Sequence, residues 1–412
     1  MAAVVFKADK AVFLSHKSIY SIAIVTILLV WLTVYHTPHS VPTFSRPKSH
    51  KQPYSSITSN KSDSHALCTI ESYNHGKWVY DPIVNLGNNL TAANFATATG
   101  YYCRKKFAHR CFRRSESELI RAKTIVDYRW QPESNCTLLD FNPKLLSEHL
   151  NDHPILFVGD SITQLQFESL GCLLGHYYTN RHPSHSNLNG GNPNIRVDEK
   201  APESKETASL AFIRSDYLLR LDDFKLTIPA DSPGTQLGTG LNHPWVHGLS
   251  YFDYIVLNTG PHWHPNLMWG PNETEEELLD AFKRAMSTIL DYLDNHVRSN
   301  QKVWIRTTPY GHAACSQFTE PSITPIPPSG KTGEFEWHLF QQFDMIWKDI
   351  LLPYRKDNRF EIFDVTTLSN LRGDAHSKPD KDCLHTCLPG PVDYWNRLLY
   401  HEIMKKEIGY TY

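Results

Sequence analysis

Short apolar runs recur along the chain from residue 154 onward, and stretches with a helical period separate them. Four of the runs are predicted strands: ILFV at 155–158, DYIVLN at 253–258, KVWIRT at 302–307 and FEIFDV at 360–365. Between them, residues 273–296 place apolar side chains at helical spacing, and Thr274 and Glu277 have the spacing of a capping box. Strands that alternate with helices predict an α/β fold with a mostly parallel sheet flanked by helices.

The first of these strands runs directly into Gly-Asp-Ser and a stretch of good helix formers, in HPILFVGDSITQLQFESLGCLL. This pattern predicts a buried strand, a tight turn and a helix, with Ser161 at the turn. Serine is a favoured N-cap, so on these residues alone Ser161 is either a helix cap or a nucleophile. In parallel sheets functional groups gather at the carboxyl ends of strands, where Asn258 and residues 307–309 also lie.

An uncharged run, IYSIAIVTILLVWLTVY at 19–35, follows a lysine-containing N-terminus. Its length is at the short end for a membrane span, and the preceding lysines favour a cytosolic N-terminus. We therefore expect a cytosolic tail over 1–18, a transmembrane signal anchor over 19–35 and a flexible lumenal stem over 36–66. A cleaved signal peptide is the alternative.

Cysteines and glycosylation sequons indicate a lumenal body. All eight cysteines follow the apolar run, and an even number outside the cytosol predicts up to four disulfides. Asn-x-Ser/Thr sequons occur at Asn60, Asn89, Asn135 and Asn272. Residues 67–150 are loop-rich and hold four of the cysteines, which indicates a disulfide-stapled segment packed on a catalytic domain over 151–412. No CxxC pair is present, so a zinc site is not predicted.

The overall charge narrows the class of partner. The net charge of the 412 residues is −2, the pI is near 6.9, and no basic run stands out. A nucleic-acid partner is therefore not predicted. The 41% hydrophobic share suits a folded globular protein.

A carboxylate and an imidazole lie three residues apart near the C-terminus, in DKDCLHTCLPGPVDYWNRLL. A serine nucleophile needs a base to take its proton and a group to orient that base. In a tight turn or a first helical turn, Asp382 would reach the ring of His385, and the two flanking cysteines would anchor the segment through disulfides. By itself the pair also suits a solvated loop, but together with Gly-Asp-Ser and the two cysteines it favours a pair that activates Ser161.

Two other polar pairs carry weaker signals. His262 and His264 are spaced as metal ligands on a strand, but no third ligand stands out, so no metal site is predicted. Asp374 and His376 form a rival Asp/His pair, which lacks flanking cysteines and is expected to support a loop.

The order of the motifs resembles a known family. The stretches are, in chain order, GKWVYDP, DYRWQPESNC, FVGDS, FDYIVLNTG, VWIRTTPYGH, LRGDAHS and DCLHTCLPGPVDYWNRLL. Together they resemble the trichome-birefringence-like family of polysaccharide O-acetyltransferases, which belongs to the PC-esterase group and is similar to GDSL/SGNH hydrolases. The likeness extends over residues 68–405 and implies an SGNH-hydrolase-like fold.

The resemblance implies a role for each residue that matches a family motif. Ser161 matches the nucleophile, His385 the general base and Asp382 the group that orients it. Asn258 matches the side-chain donor of the oxyanion hole, together with the backbone N–H of Ser161. An amide at a strand end suits that role, because it can donate to an oxyanion without bringing charge. Asn is also favoured at turns, so a purely structural role for Asn258 stays open.

The resemblance also implies a disulfide framework. The implied pairs are Cys68–Cys136, Cys103–Cys172, Cys111–Cys387 and Cys315–Cys383. Two of these bridges would tie the segment that holds Asp382 and His385 to distant parts of the chain.

The chain departs from the family pattern where a sugar acceptor would bind. Pro261 is inserted after Asn-Thr-Gly, which shifts His262 and Trp263, and Cys315 follows the preceding histidine closely. His262, Trp263 and Trp269 are expected acceptor contacts, since tryptophan stacks on sugar rings. The departures leave the identity of the acceptor open.

These expectations combine into a single-pass type II Golgi membrane enzyme with its catalytic part in the lumen. It would move an acetyl group through acetyl-Ser161 onto a hydroxyl of a cell-wall or extracellular polysaccharide. No bound cofactor is expected, and the acetyl donor would be a co-substrate, either acetyl-CoA or an acetylated carrier. A carbohydrate esterase with the same three residues is an alternative, and so is a non-catalytic polysaccharide-binding protein.

Overall fold

The computed structural model describes residues 66–83, 89–103, 107–133, 136–177, 184–186, 209–219, 245–246, 249–264, 272–328, 331–332 and 335–407. Residues 63–412 form one compact unit. The predicted tail, anchor and almost all of the stem lie outside the described residues. Within the described residues, no helix is both long enough and apolar enough to cross a membrane.

The described strands, in chain order, are β1 Gly76–Tyr80, β2 Tyr128–Pro132, β3 Ile155–Gly159, β4 Ser184–Ser186, β5 Leu210–Arg214, β6 Tyr254–Leu257, β7 Lys302–Arg306, β8 Lys331–Thr332, β9 Phe335–Glu336, β10 Phe360–Phe363, β11 His376–Lys378 and β12 Asp382–Thr386. The described α-helices are α1 Ile70–Asn74, α2 Ala92–Thr99, α3 Glu116–Val126, α4 Pro143–Asp152, α5 Ser161–Leu174, α6 Glu275–His296, α7 Phe340–Leu351, α8 Thr366–Asn370 and α9 Pro391–Glu407. The four predicted strands, β3, β6, β7 and β10, alternate with α5, α6 and α7, as the sequence predicts.

A six-stranded sheet of order β10-β7-β6-β3-β5-β4 forms the centre, and all of its pairs are parallel. Four of its strands match the predicted ones. β5 was not predicted, because its short apolar run shows no alternation of polar and apolar residues and no turn signal of its own. It forms a strand by pairing with β3. β4 lies in a polar stretch that reads as a surface loop, and it too depends on its neighbour.

β3 is buried along its whole length, which places its carboxyl end inside the fold. α5 and α9 pack against each other, and α6 packs against α7. The predicted helix over 273–296 is confirmed as α6, and Thr274 and Glu277 form the capping box. Its apolar face, from Leu278 to Leu293, is buried.

The cysteine-rich segment packs on the same unit through β1, β2 and α1 to α3. β1 and β2 pair antiparallel, and the Trp130 ring beneath them is 3% exposed. The guanidinium of Arg372, from the catalytic side, lies 4.4 Å from the centroid of the Trp78 ring. All four implied disulfides form: Cys68–Cys136, Cys103–Cys172, Cys111–Cys387 and Cys315–Cys383.

The segment that holds the predicted base is a two-stranded antiparallel sheet of β11 and β12 with an irregular register. Asp382 and His385 both lie in β12, so the prediction of a tight or helical turn is wrong. The Asp382 carboxylate accepts from the backbone N–H groups of Leu384, at 3.2 Å, and of His385, at 3.1 Å. These local bonds bring the side chains of Asp382 and His385 together although the residues are three apart on a strand.

Candidate active site

The turn after β3 presents Ser161 at the start of α5. Asp160 is the N-cap, and its Oδ1 accepts from the N–H of Ile162 at 2.8 Å and from the N–H of Thr163 at 3.4 Å. Ser161 is therefore the first residue of the helix, and the alternative in which it caps α5 is wrong. Asp160 satisfies the helix amides, which leaves the Ser161 hydroxyl available for chemistry.

Gly159 makes this turn possible. Its φ is +156°, and a Cβ built there would lie 2.4 Å from the Asn258 carbonyl oxygen and 2.4 Å from Thr163 Oγ1. No side chain fits between β3 and the end of β6 at this point. The residue type at 159 is thus set by the close approach of two strands.

Ser161, His385 and Asp382 form a connected chain of hydrogen bonds. His385 Nε2 is 2.8 Å from Ser161 Oγ, and His385 Nδ1 is 2.9 Å from Asp382 Oδ2. A carboxylate only accepts, so Nδ1 carries the proton and Nε2 is left to accept the Ser161 hydroxyl. The sequence-predicted residues meet in the tautomer that proton abstraction requires.

Asp382 is held in its charged form. Burial alone would raise its pKa, but the hydrogen bond and charge of His385 and the backbone N–H groups of His385 and Leu384 outweigh burial and hold the pKa below its usual range. The carboxylate therefore stays ionised at neutral pH, and it favours the imidazolium that forms when His385 takes a proton.

A buried cation lies beneath the turn. Arg306 ends β7, is 1% exposed, and donates from Nη2 to Thr163 Oγ1 at 3.1 Å. Burial lowers its pKa to about 10, while the carboxylates of Asp160 and Asp344 act to raise it. The guanidinium is thus a counter-charge for the buried Asp160. The sequence shows Arg306 only as part of VWIRTTPYGH and gives no sign of this role.

Asn258 does not face an oxyanion site. Its Nδ2 donates both hydrogens inside the core, to the Arg306 carbonyl oxygen at 2.9 Å and to Thr308 Oγ1 at 2.7 Å. The side chain is 1% exposed and joins the ends of β6 and β7. The prediction that Asn258 donates to an oxyanion is therefore wrong in this arrangement. The backbone N–H of Ser161, at the N-terminus of α5, stays the predicted donor.

A family model matches residues 138–402, and its description is PC-Esterase, the GDSL/SGNH-like acyl-esterase family found in Pmr5 and Cas1p. The match spans well over half of the chain and includes the three hydrogen-bonded residues. The chain belongs to this family.

Curated plant proteins resemble the chain over most of its length. Protein trichome birefringence-like 13 of Arabidopsis thaliana is 23% identical over 86% of this chain and 89% of its own length. Xyloglucan O-acetyltransferase 1 of the same plant is 24% identical over 85% of this chain and 87% of its own length. Xylan O-acetyltransferase 6 of Oryza sativa subsp. japonica is 26% identical over 80% of this chain and 62% of its own length. These relatives support the trichome-birefringence-like assignment.

Among solved structures, the acetylxylan esterase Axe2 from Geobacillus stearothermophilus is similar over 63% of this chain and 95% of its own, with 13% identity and a TM-score of 0.28.

The three expected acceptor contacts have different environments or lie outside the described residues. Trp263 is fully buried, donates from Nε1 to Thr259 Oγ1 at 2.8 Å and packs edge-on against Phe282, so a sugar contact through Trp263 is wrong. His262 remains at the surface edge, with its side chain 26% exposed and Nε2 3.7 Å from Asp216 Oδ1. Trp269 lies outside the described residues.

The rival Asp/His pair does not form. Asp374 accepts a bidentate ion pair from Arg372, with both distances at 2.8 Å. His376 instead contacts His312, with Nε2 to Nδ1 at 2.6 Å. Burial lowers the pKa of His312 to about 4 and that of His376 to about 3. These side chains support the loops around β11, as expected.

Two clusters in the described part of the chain could offer three ligand atoms to a metal ion. They are Cys111, Glu118 and Cys387, and Glu275, Glu336 and His338. Both cysteines of the first cluster are in a disulfide, which removes the thiolates that a metal requires. His262 and His264 belong to neither cluster.

Two of the four sequon asparagines fall within the described residues. Asn89 and Asn272 are exposed, and Asn60 and Asn135 lie outside them. Glycosylation of these sites stays a prediction.

Besides Arg306, the structure adds His109 to the site, which the sequence analysis also missed. The His109 ring, in the cysteine-rich segment, stacks on the His385 ring with centroids 4.9 Å apart and planes 16° apart. A signal was present: His109 lies two residues before Cys111, and His385 lies two residues before its bridge partner Cys387. The implied disulfide alone therefore places the two histidines near each other.

Proposed function

We propose that this protein is a polysaccharide O-acetyltransferase that works through an acetyl-Ser161 intermediate. The observation that carries the proposal is the contact of His385 Nε2 with Ser161 Oγ at 2.8 Å, with Asp382 on the other ring nitrogen. Membership of the PC-esterase family supports acyl transfer or acyl-ester hydrolysis. Relatives named as xylan and xyloglucan O-acetyltransferases support a polysaccharide acceptor.

In the first half-reaction, His385 Nε2 takes the proton of Ser161 Oγ as Oγ bonds to the acetyl carbonyl carbon. The carbonyl oxygen becomes an oxyanion, which the Ser161 N–H and the N-terminus of α5 stabilise. When the tetrahedral species collapses, the bond to the leaving atom of the donor breaks and that atom takes the proton from Nε2. Acetyl-Ser161 remains.

In the second half-reaction, a sugar hydroxyl gives its proton to the same Nε2 while its oxygen bonds to the acetyl carbon. The bond from that carbon to Ser161 Oγ then breaks, and Oγ regains the proton. Asp382 keeps its charge throughout, because its hydrogen bonds hold its pKa low. One base and one oxyanion site therefore serve both transfers.

The cellular setting belongs to the same proposal. The uncharged run at 19–35 would anchor the protein as a single-pass type II Golgi membrane protein, with its catalytic part in the lumen. Four disulfides support an oxidising compartment. The acetyl donor would arrive as a co-substrate, acetyl-CoA or an acetylated carrier, and no bound cofactor is needed for the steps above.

Hydrolysis is the second candidate, because the matched family is described as an acyl-esterase family. Water would replace the sugar hydroxyl in the second half-reaction with no change in the roles of Ser161, His385 and Asp382. Which acceptor reaches the acetyl carbon decides between the two.

The test uses full-length protein in detergent with a donor that carries an isotopically labelled acetyl group. Incubation with donor alone is expected to place label on the tryptic peptide that contains Ser161, and a deacetylated polysaccharide is expected to take the label as sugar ester. Ser161→Ala is expected to abolish both signals without changing glycan binding, and Ser117→Ala, at an exposed serine of α3, is the matched control.

Label that went only to free acetate, whatever polysaccharide was supplied, would establish the esterase. Full transfer by Ser161→Ala would overturn the mechanism. Polysaccharide binding with no label on Ser161 from any donor would indicate a binding protein.

A further inference from the structure

We propose that His109 is a positioning residue for the His385 base, so that the cysteine-rich segment completes the catalytic site instead of only bracing it. The inference rests on the proposed function, since it concerns the base of that reaction. The observation behind it is the near-parallel stack of the two imidazole rings, with centroids 4.9 Å apart and planes 16° apart.

Hydrogen bonds at its ring edges leave His385 free to tilt. Asp382 holds Nδ1 at 2.9 Å, and Ser161 Oγ lies 2.8 Å from Nε2. A hydrogen bond to a ring nitrogen is directed along the plane of the ring, so it resists tilting of that ring only weakly. A flat ring packed on one face restricts that motion, and His109 supplies it.

The stacking ring is itself held from several sides. His109 Nδ1 is 2.8 Å from Ser377 Oγ, and the His109 carbonyl oxygen accepts from the Leu388 N–H at 2.8 Å. Arg114 donates from Nη2 to the neighbouring Ala108 carbonyl oxygen at 2.6 Å and from Nη1 to the Ser377 carbonyl oxygen. These contacts join His109 to β11 of the hairpin and to the chain two residues after the end of β12.

A disulfide closes the same arrangement. Cys111, two residues after His109, is bridged to Cys387, two residues after His385. The backbone segments that carry the two rings therefore cannot separate while the bridge is intact. The bridge therefore holds His109 close to His385, as is needed for a residue that positions a reacting group.

His109 stays neutral beside the base. Burial is the main reason that its pKa is lowered, to about 4, and protonation of His385 acts to lower it further. Arg114 and Lys378 act in the same direction, and the Asp382 carboxylate acts against them. A neutral aromatic face next to His385 can stabilise the imidazolium that forms when the base takes the Ser161 proton.

The test compares kcat, KM and the pH profile of full-length parent and His109 variants, with an aryl acetate as acyl donor. His109→Ala is expected to lower kcat by roughly 10- to 100-fold with little change in KM, because a misaligned base slows the chemical step. His109→Phe keeps a flat ring and is expected to stay within about threefold of the parent, since the stack needs the ring face.

A charge variant tests whether the ring lies against the base in solution. His109→Lys places a cation beside His385 and opposes its protonation, so the acid limb of the kcat profile is expected to move to lower pH by about one pH unit. His176→Ala is the matched control, because His176 stacks on Tyr102 with centroids 4.1 Å apart and does not contact His385. It is expected to leave kcat and the pH profile unchanged.

The outcomes separate this proposal from the proposed function. Labelling of Ser161 by a fluorophosphonate is measured in parallel for every variant, with circular dichroism as the check on folding. A parent that does not label overturns the proposed function and, with it, any base for His109 to position. A parent that labels, together with a folded His109→Ala that keeps the parental kcat and pH profile, overturns the role of His109 alone. A folded His109→Phe as slow as His109→Ala also overturns it.

Discussion

Ser161 and His385 reach the same hydrogen bond from two regions that are built differently. Ser161 follows a strand that is buried along its whole length and opens a helix packed in the core. His385 lies on a two-stranded hairpin flanked by the bridges Cys111–Cys387 and Cys315–Cys383. The nucleophile is positioned by hydrophobic burial within the sheet, and the base is positioned by covalent bonds and polar contacts. The two halves of the site should therefore fail under different treatments.

The largest effect should come from removing a reacting group on either side. Ser161→Ala, His385→Ala and Asp382→Asn are each expected to lower the rate of acetyl transfer by on the order of 10⁴-fold, because the three groups act as a unit. Combining two of them should add less than about tenfold. The rates of single and double variants check this, and losses that multiplied would mean that the two regions act independently.

On the nucleophile side, Gly159→Ala forces the strand and the helix apart. The new Cβ would lie 2.4 Å from the Asn258 carbonyl oxygen, so the turn must shift and carry Ser161 with it. We expect a rate loss of about 10²-fold, the size that a misplacement of 1 Å causes. Gly100→Asn is the control, since Gly100 has a φ of +67° but no atom within 4 Å of a built Cβ. Equal losses for both variants would count against the close-approach argument.

On the base side, Cys111→Ser combined with Cys387→Ser releases the hairpin from the cysteine-rich segment. We expect the rate per folded molecule to fall at least tenfold, because His109 and His385 lose their tether. Cys68→Ser combined with Cys136→Ser removes a bridge that does not touch the hairpin. Each pair should lower the free energy of unfolding by about 2–5 kcal/mol, but the control should keep its rate. Equal rates in the two double variants would contradict the proposal that the Cys111–Cys387 bridge positions the base.

Asn258→Ala is expected to affect the free energy of unfolding more than the rate of acetyl transfer. It leaves the Arg306 carbonyl oxygen and Thr308 Oγ1 without their buried donor, which should lower the free energy of unfolding by about 1–3 kcal/mol. The rate per folded molecule should fall by less than about tenfold. Denaturant unfolding and kinetics on the same preparation check this. A loss of 10²-fold or more at unchanged stability would restore the oxyanion role.

One buried group in each region should make the folding stability depend on pH, and the two dependences should have opposite sign. His376, in β11 of the hairpin, has a pKa lowered by burial from 6.5 to about 3, so the unfolded chain binds its proton first and stability falls as pH drops below 6.5. Glu168, on α5, has a pKa raised by burial from 4.5 to about 7, so stability falls as pH rises through that window. Each full pH unit within a window corresponds to about 1.4 kcal/mol.

Denaturant midpoints at pH 5, 6, 7 and 8 measure these slopes. Between pH 5 and 6.5 the two groups oppose each other, so His376→Gln is expected to make stability fall more steeply as pH rises, and Glu168→Gln is expected to make stability rise with pH there. Unchanged slopes in both variants would show that these groups ionise alike in the folded and unfolded chains.

The sequence predicted the nucleophile side well because local rules decide it. Apolar runs gave the strands around Ser161, and the capping box gave the start of α6 within one turn. β5 and the role of Arg306 were not predicted, because both depend on tertiary contacts. β5 forms by pairing with β3, and Arg306 is a buried counter-charge for residues distant in sequence. The role of Asn258 was predicted wrongly for the same reason. Its position at a strand end can be read from the sequence, but the acceptors of its side chain belong to the end of the neighbouring strand β7 and the residues after it.

The base side was predicted in its residues but not in its shape. The spacing of Asp382 and His385 and the resemblance to a family identified them, yet a spacing of three favours a helical turn over the irregular strand that forms. His109 was missed because stacking leaves no periodic pattern in a sequence. The pairing of Cys111 with Cys387 was the available clue.

The Cys111–Cys387 bridge joins residues 276 positions apart, and this separation has a consequence for how the protein is made. A ribosome releases Ser161 long before it reaches His385, so a growing chain holds a serine with no base and a Cys111 with no partner. The site can close only after almost the whole chain has been synthesised, and the bridge forms only where thiols are oxidised. A copy that is incomplete, or that keeps its thiols reduced, therefore lacks the covalent link between the backbone segments that carry His109 and His385.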